Sequence, residues 1–344
     1  MALDEATLCF GPEQGLIGVL ARPAGSGGAP ARIGCLLLNV GVNHRIGPRR
    51  VNVKMARQLA AAGIPSLRFD LSGVGDSRAS TAQNDFRQQA LVDMKAALDE
   101  LQAATGLARF VVIGICSGGA NGMALALADT RVVGLLMLDG YIFLTRAVKL
   151  ERKLRRWAAF PFNPSIRRSF GAWNDWVGWA RAPLDVAARR KALGRIFGRF
   201  SPRTTEETGI LSADTAEYEA SEFTRDMTRL VERDVDIYLM YSATLLAVDH
   251  GGDLLKGLGR PAFLSRVRYQ HRPDIDHTAT TLASQRALLD AACGWAAGIS
   301  AAHPARAAPL PADTAAAAPD AARTRSAAEA LAALERRLDP RRRA

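Results

Sequence analysis

A chain of 344 residues, 48% of them hydrophobic, is long enough to bury a large core and too apolar to be disordered throughout. Its net charge of +11 is concentrated: residues 146–203 hold fifteen Lys or Arg against Glu151, Asp175 and Asp185, leaving the rest near neutral. Four scattered cysteines (Cys9, Cys35, Cys116, Cys293) without a CxxC pair argue against a zinc site or a disulfide framework, and no window is long and apolar enough to span a bilayer.

The first residues, Met1 to Glu5, have neither a basic start nor an apolar run, so a reducing cytoplasm is the expected setting. Ala6–Phe10 and Leu16–Leu20 predict an antiparallel hairpin. Ile33–Val40 is a nearly unbroken apolar run, as in a strand buried on both faces. Val51, Met55 and Leu59 mark the helix that follows, which Gly63 closes. A strand over Pro65–Asp70 and a helix carrying Leu91, Met94, Leu98 and Leu101 come next, then a strand at Arg109–Ile113.

That strand runs through Gly114-Ile115-Cys116-Ser117-Gly118-Gly119 into Ala120, Met123, Ala124 and Leu127 at helical spacing. Strand, tight turn and helix in this order form a nucleophile elbow, whose apex residue needs small neighbours two positions before and after it. Around Cys116 those neighbours are Gly114 and Gly118; around Ser117 they would be Ile115 and Gly119. A thiol is therefore expected at the apex, against the plainer alternative of a buried structural cysteine.

Further strands are predicted at Val132–Leu138, Val235–Tyr241 and near Ser265–Tyr269, the last leading through His271 to His277 into a helix over 279–298. Between 138 and 235 lies a stretch too long for an ordinary crossover, rich in arginine and in Trp157, Trp173, Trp176 and Trp179. The expected organisation is a core of residues 1–141 and 232–299, a helical cap over 142–231 and an Ala/Pro/Arg-rich tail, largely disordered, over 300–344. Strands alternating with helices from residue 33 imply an α/β fold with a mostly parallel sheet covered on both faces.

In this order of parts, over roughly residues 5–300, the chain resembles the α/β-hydrolase superfamily. Four stretches carry the resemblance: the elbow, Phe69-Asp70-Leu71-Ser72-Gly73-Val74-Gly75-Asp76-Ser77, Asn39-Val40-Gly41-Val42-Asn43-His44, and Asp276-His277-Thr278. In the second, Ser72 stands where the family has arginine. The Asn-x-Gly-x-x-His-Arg stretch and the Gly-x-Cys-Ser elbow more closely resemble bacterial serine-aminopeptidase-like and exosortase-associated hydrolases.

The resemblance implies Cys116 as nucleophile, His277 as base, and an oxyanion hole of backbone N–H groups from Ser117 and from Val42 or Asn43. A thiol, with a pKa of ~8.5, ionises far more readily than serine and depends less on a third residue. The family places an acid after the strand ending at Tyr241, where this chain reads Ser242-Ala243-Thr244-Leu245-Leu246-Ala247-Val248-Asp249. Asp249 is preferred, Asp253 is second, and Asp139, after the strand at 132–138, is third.

A metal held by His271, Asp274, Asp276 and His277 matches no standard spacing, so no cofactor is expected. The implied activity is hydrolysis of an ester or thioester through an acyl-cysteine. Acyl transfer is the alternative, as in polyhydroxyalkanoate synthases, whose cysteine elbows are similar to this one; a decayed, binding-only scaffold is the third. The arginines point to an acyl substrate with an anionic portion or to peripheral contact with a membrane, and no nucleic-acid motif accompanies them.

Overall fold

Apolar strands alternating with amphipathic helices need a sheet buried on both faces, and the computed structural model, which describes residues 3–23, 31–143, 220–244 and 254–303, has one. Its strands are β1 (Leu3–Phe10), β2 (Leu16–Pro23), β3 (Gly34–Leu37), β4 (Ser66–Phe69), β5 (Phe110–Ile115), β6 (Val132–Leu138), β7 (Asp236–Ser242) and β8 (Arg268–Arg272). They lie in the order β1-β2-β4-β3-β5-β6-β7-β8. The opening hairpin joins β4 antiparallel, and every later pairing is parallel.

Alternation along each strand divides the core in two. Leu36, Phe110, Val112, Leu135 and Leu239 face one layer, built from α2 (Phe86–Thr105), α3 (Ser117–Ala128) and α4 (Ala220–Glu232). Cys35, Leu37, Val111, Ile113, Tyr238 and Met240 face the other, built from α1 (Val51–Ala61) and α5 (Leu282–Ala302). Asp85 starts α2 with a reciprocal capping box to Gln88, and Gly106 ends it in the left-handed region.

From β3 the chain adds β4 on one side and later β5 on the other, so the strand order reverses between β3 and β5. Loops leaving the carboxyl ends of these two strands diverge there and open a crevice, the usual place for a ligand in such sheets.

The elements differ from expectation in two places. Residues Ala262–Arg266 form a 3-10 helix and the last strand begins only at Arg268. Most of the expected cap, 144–219, and the tail beyond 303 lie outside the described residues. Residues 220–231, counted with the cap, lie in α4, whose apolar face joins the core layer that holds α2 and α3. Phe223, Met227 and Leu230 are fully buried there, with the Phe223 ring 4.8 Å from Phe143, 5.1 Å from Tyr141 and 6.0 Å from Phe263.

Truncating Phe223 therefore opens a cavity in the main core. Phe223→Ala should lower the stability of the whole domain by about 3–5 kcal/mol, seen as a shifted midpoint with unchanged slope in urea unfolding. A loss well under 1 kcal/mol would return α4 to a separate cap.

Candidate active site

β5 drives straight at the crevice, and its register with β6 carries on to the last residue, where the Cys116 amide donates to the Leu138 carbonyl at 2.8 Å. Cys116 then turns the chain at φ 57° and ψ −122° and α3 starts at Ser117. A residue with a Cβ is strained in that conformation and is held only where its surroundings enforce it. Here they do: a Cβ on Gly114 would stand 2.1 Å from the Gly118 carbonyl oxygen, and one on Gly118 would stand 2.6 Å from that of Asn39. Cys116 is thus the apex, partly exposed, and Ser117 is the first residue of the helix. Two of the remaining thiols are buried, and burial pushes Cys293 up to about 12 and Cys35 well above the ordinary thiol value.

His277 arrives from the loop after β8. Its amide donates to Thr244 Oγ1 at 3.0 Å, the Ala243 amide donates to the Ile275 carbonyl at 2.7 Å, and Asp276 accepts the amides of Thr278 and Thr280. The imidazole is 7% exposed. Its Nδ1 donates to Asp139 Oδ2 at 2.7 Å, and the ring is also hydrogen-bonded to Cys116.

The carboxylate that meets this histidine is Asp139, the third of the acids weighed from the sequence. Nδ1 carries one hydrogen, and Asp139 accepts it; Asp249 and Asp253 lie outside the described residues. Asp139 stands just past β6 at φ 52°, 4% exposed, and also accepts the Ser242 amide at 2.7 Å and the Ser242 hydroxyl at 2.6 Å. Ser242 and Thr244 are the residues that sequence reasoning missed. They occupy the strand end where an acid was sought, and they hold the acid and the histidine from there.

Burial disfavours the charged ring of His277, but hydrogen bonds to Asp139 and Cys116 and the charge of both partners outweigh it, and the pKa rises to about 9. At neutral pH the ring is an imidazolium between a carboxylate and a sulfur.

After β3, the turn Val40-Gly41-Val42-Asn43 is closed by the Asn43 amide donating to the Val40 carbonyl at 3.1 Å. This spends the Asn43 amide, one of the two alternatives for the donor expected beside Ser117. The Val42 amide bonds to no group among the described residues, and neither does the amide of Ser117 at the start of α3.

Nearby, His44, Asp70 and Asp76 bring ligand-type atoms within 4.8 Å of one another, but a cation is already there. The Arg45 guanidinium lies 2.5 Å from buried Asp70 and 2.7 Å from Asp76, and the hydrogen bonds from His44 and Arg45 hold the Asp76 carboxyl below its ordinary range. In the other weighed cluster Asp274 pairs with Arg272 at 2.7 Å, His277 with Asp139, Asp276 with the amides of Thr278 and Thr280, and His271 Nε2 with the Tyr269 hydroxyl.

A family profile described as "alpha/beta hydrolase fold" matches residues 45–180, a span holding both the Asp70 turn and the elbow. The chain has the α/β-hydrolase fold. No curated protein matches its sequence. Solved structures similar to it include a hypothetical protein from Pseudomonas aeruginosa, at 14% identity over 88% of this chain and 94% of that one, with a TM-score of 0.48. A cold-adapted esterase from an Arctic intertidal metagenomic library matches at 14% identity over 85% and 93%, TM-score 0.42. A thermophilic esterase from Thermogutta terrifontis matches at 15% identity over 86% and 99%, TM-score 0.44. Among the described residues no helix is long and apolar enough to cross a membrane.

The charge on His277 sets a pH dependence. Its folded pKa lies above the ordinary 6.5, so the stabilisation is complete below about pH 6.5 and is lost as pH rises through about 9. The imidazole NMR signal should titrate near 9 in the native protein and more than one unit lower in Asp139→Asn. Titration near 6.5 in both proteins would remove the Asp139 contact from the site.

Proposed function

We propose that this α/β-fold hydrolase cleaves an ester or thioester through an acyl-Cys116 intermediate. The observation that carries the proposal is the run of hydrogen bonds from Cys116 to His277 to Asp139, at the mouth of an elbow that presents the sulfur. The sulfur attacks the carbonyl carbon as a thiolate, and the carbonyl oxygen takes the displaced electron pair. The amides of Ser117 and Val42, with the positive end of α3, are the donors assigned to that oxygen.

Collapse of the tetrahedral species breaks the bond to the leaving alcohol or thiol, which departs with the proton of His277. The neutral ring then takes a proton from water as the water attacks the thioester. Collapse of the second tetrahedral species frees the acid and restores the thiolate beside an imidazolium. Asp139 accepts the Nδ1 hydrogen throughout, so Nε2 faces the reaction.

The Asn-x-Gly-x-x-His-Arg stretch and the cysteine elbow support kinship with serine-aminopeptidase-like and exosortase-associated bacterial hydrolases. The basic, aromatic segment 146–203 supports a cap that admits an acyl chain joined to an anionic group, such as a phosphorylated carrier. Acyl transfer is the second reading, favoured by the choice of sulfur, since a thioester passes its acyl group readily to an amine or another thiol.

Incubating the native protein, Cys116→Ala and His277→Ala with a panel of p-nitrophenyl esters and acyl thioesters, then measuring intact mass, should reveal an acyl adduct on the native protein alone. Adduct on Cys116→Ala would overturn the assignment. Product analysis with and without added butylamine separates the two readings: free acid in both cases supports hydrolysis, and amide in its presence supports transfer.

A further inference from the structure

We propose that the Ser117 hydroxyl is a positioning group that fixes the oxyanion-binding turn against the nucleophile elbow, an inference that rests on the acyl-Cys116 reading. The turn after β3 is braced firmly at its ends. Asn39 Nδ2 donates to the Asn43 carbonyl at 2.8 Å and Asn39 Oδ1 accepts the Leu71 amide at 3.3 Å, while the Arg45 amide and guanidinium both hold buried Asp70. Val40, before the apex, is in the core.

The apex itself has almost nothing. Val42 is 81% exposed, and a Cβ built on Gly41 would find no atom within 4 Å. Gly41 also stands at φ +60°, where glycine is the least constrained of residues. Among the described residues one bond joins this apex to the rest of the protein: the Gly41 amide donates to Ser117 Oγ at 2.9 Å. The acceptor belongs to the residue that follows the nucleophile, so a single side chain sets the distance between the turn carrying the Val42 amide and the helix start carrying the Ser117 amide.

Two donors serve one developing oxyanion only if both lie within about 2.7–3.1 Å of it. Losing the hydroxyl frees the apex to move by more than that tolerance, while α3, the elbow and the sulfur stay where they are. The same contact explains why a hydroxyl follows the cysteine without being the nucleophile. Its oxygen is already an acceptor for the turn, and its backbone lies one residue beyond the apex.

The test compares the native protein with Ser117→Ala and Ser117→Thr in two reactions of the same sulfur. Acylation by p-nitrophenyl butyrate builds an oxyanion; alkylation by iodoacetamide does not. In Ser117→Ala the acylation rate constant should fall about 10–100-fold with KM nearly unchanged, Ser117→Thr should recover most of it, and alkylation of Cys116 should stay within about twofold in all three. Native acylation rates in Ser117→Ala would overturn the proposal. So would a parallel loss of alkylation, which would put the hydroxyl's effect on the sulfur or on folding. Alkylation of native Cys116 without any acylation would instead overturn the acyl-enzyme reading itself, an outcome distinct from either.

Discussion

A side chain can be held at φ +57° at the end of a parallel strand only if the strand before it and the helix after it close to within contact distance. Everything at the candidate site follows from that closure at Cys116. Gly114 and Gly118 allow it, because each takes the place of a Cβ that would overlap backbone. The bond from the Cys116 amide to Leu138 locks the elbow to β6, and Asp139 is the residue after that strand, so apex and acid are registered by adjacent strands. The geometry is a property of the sheet, and the sheet is buried on both faces across β3 to β7.

The position of the acid illustrates how a fold tolerates rearrangement without losing chemistry. β6 and β7 end side by side, so a carboxylate on either strand end can reach a histidine delivered by the loop after β8. In this chain the carboxylate is on β6 and the strand end of β7 carries the donors, Ser242 to Asp139 and Thr244 as acceptor for the His277 amide. The three bonds accepted by Asp139 leave little freedom for its carboxylate. A buried carboxylate so supplied needs no further cation, and it holds the imidazole in one orientation.

Much of this was legible before any coordinates. The period of the apolar residues showed which segments are strands and which are helices, and the glycine spacing selected Cys116 over Ser117, because a steric requirement at a tight turn leaves a direct trace in residue size. What was not legible depended on neighbours distant in sequence. Asp139 is an acid after a strand, like many others, until β7 and the His277 loop are placed against it. Ser242 and Thr244 carry no motif, since a hydroxyl that orients a buried carboxylate or the backbone beside a histidine looks like any surface hydroxyl in one dimension. The surroundings of 220–231 were hidden for a related reason: the amphipathic pattern shows that α4 buries a face and does not show which body it buries it against.

The charge on His277 ties these parts to reactivity. An imidazolium between Asp139 and Cys116 is buried at a cost, and the pKa of about 9 means that its two partners more than offset that cost. A serine in place of Cys116 would remain neutral, and the ring would lose one of the two interactions that keep it charged. The acid of the triad would then have to orient a neutral base, the task it performs in serine enzymes. With sulfur at the apex, the acyl-cysteine reading proposed above leaves formation of the oxyanion as the step that the surroundings must assist. Under that proposed mechanism positional accuracy matters most at the two amides assigned to the oxyanion, one on the helix start after the elbow and one on the turn that the Ser117 hydroxyl meets.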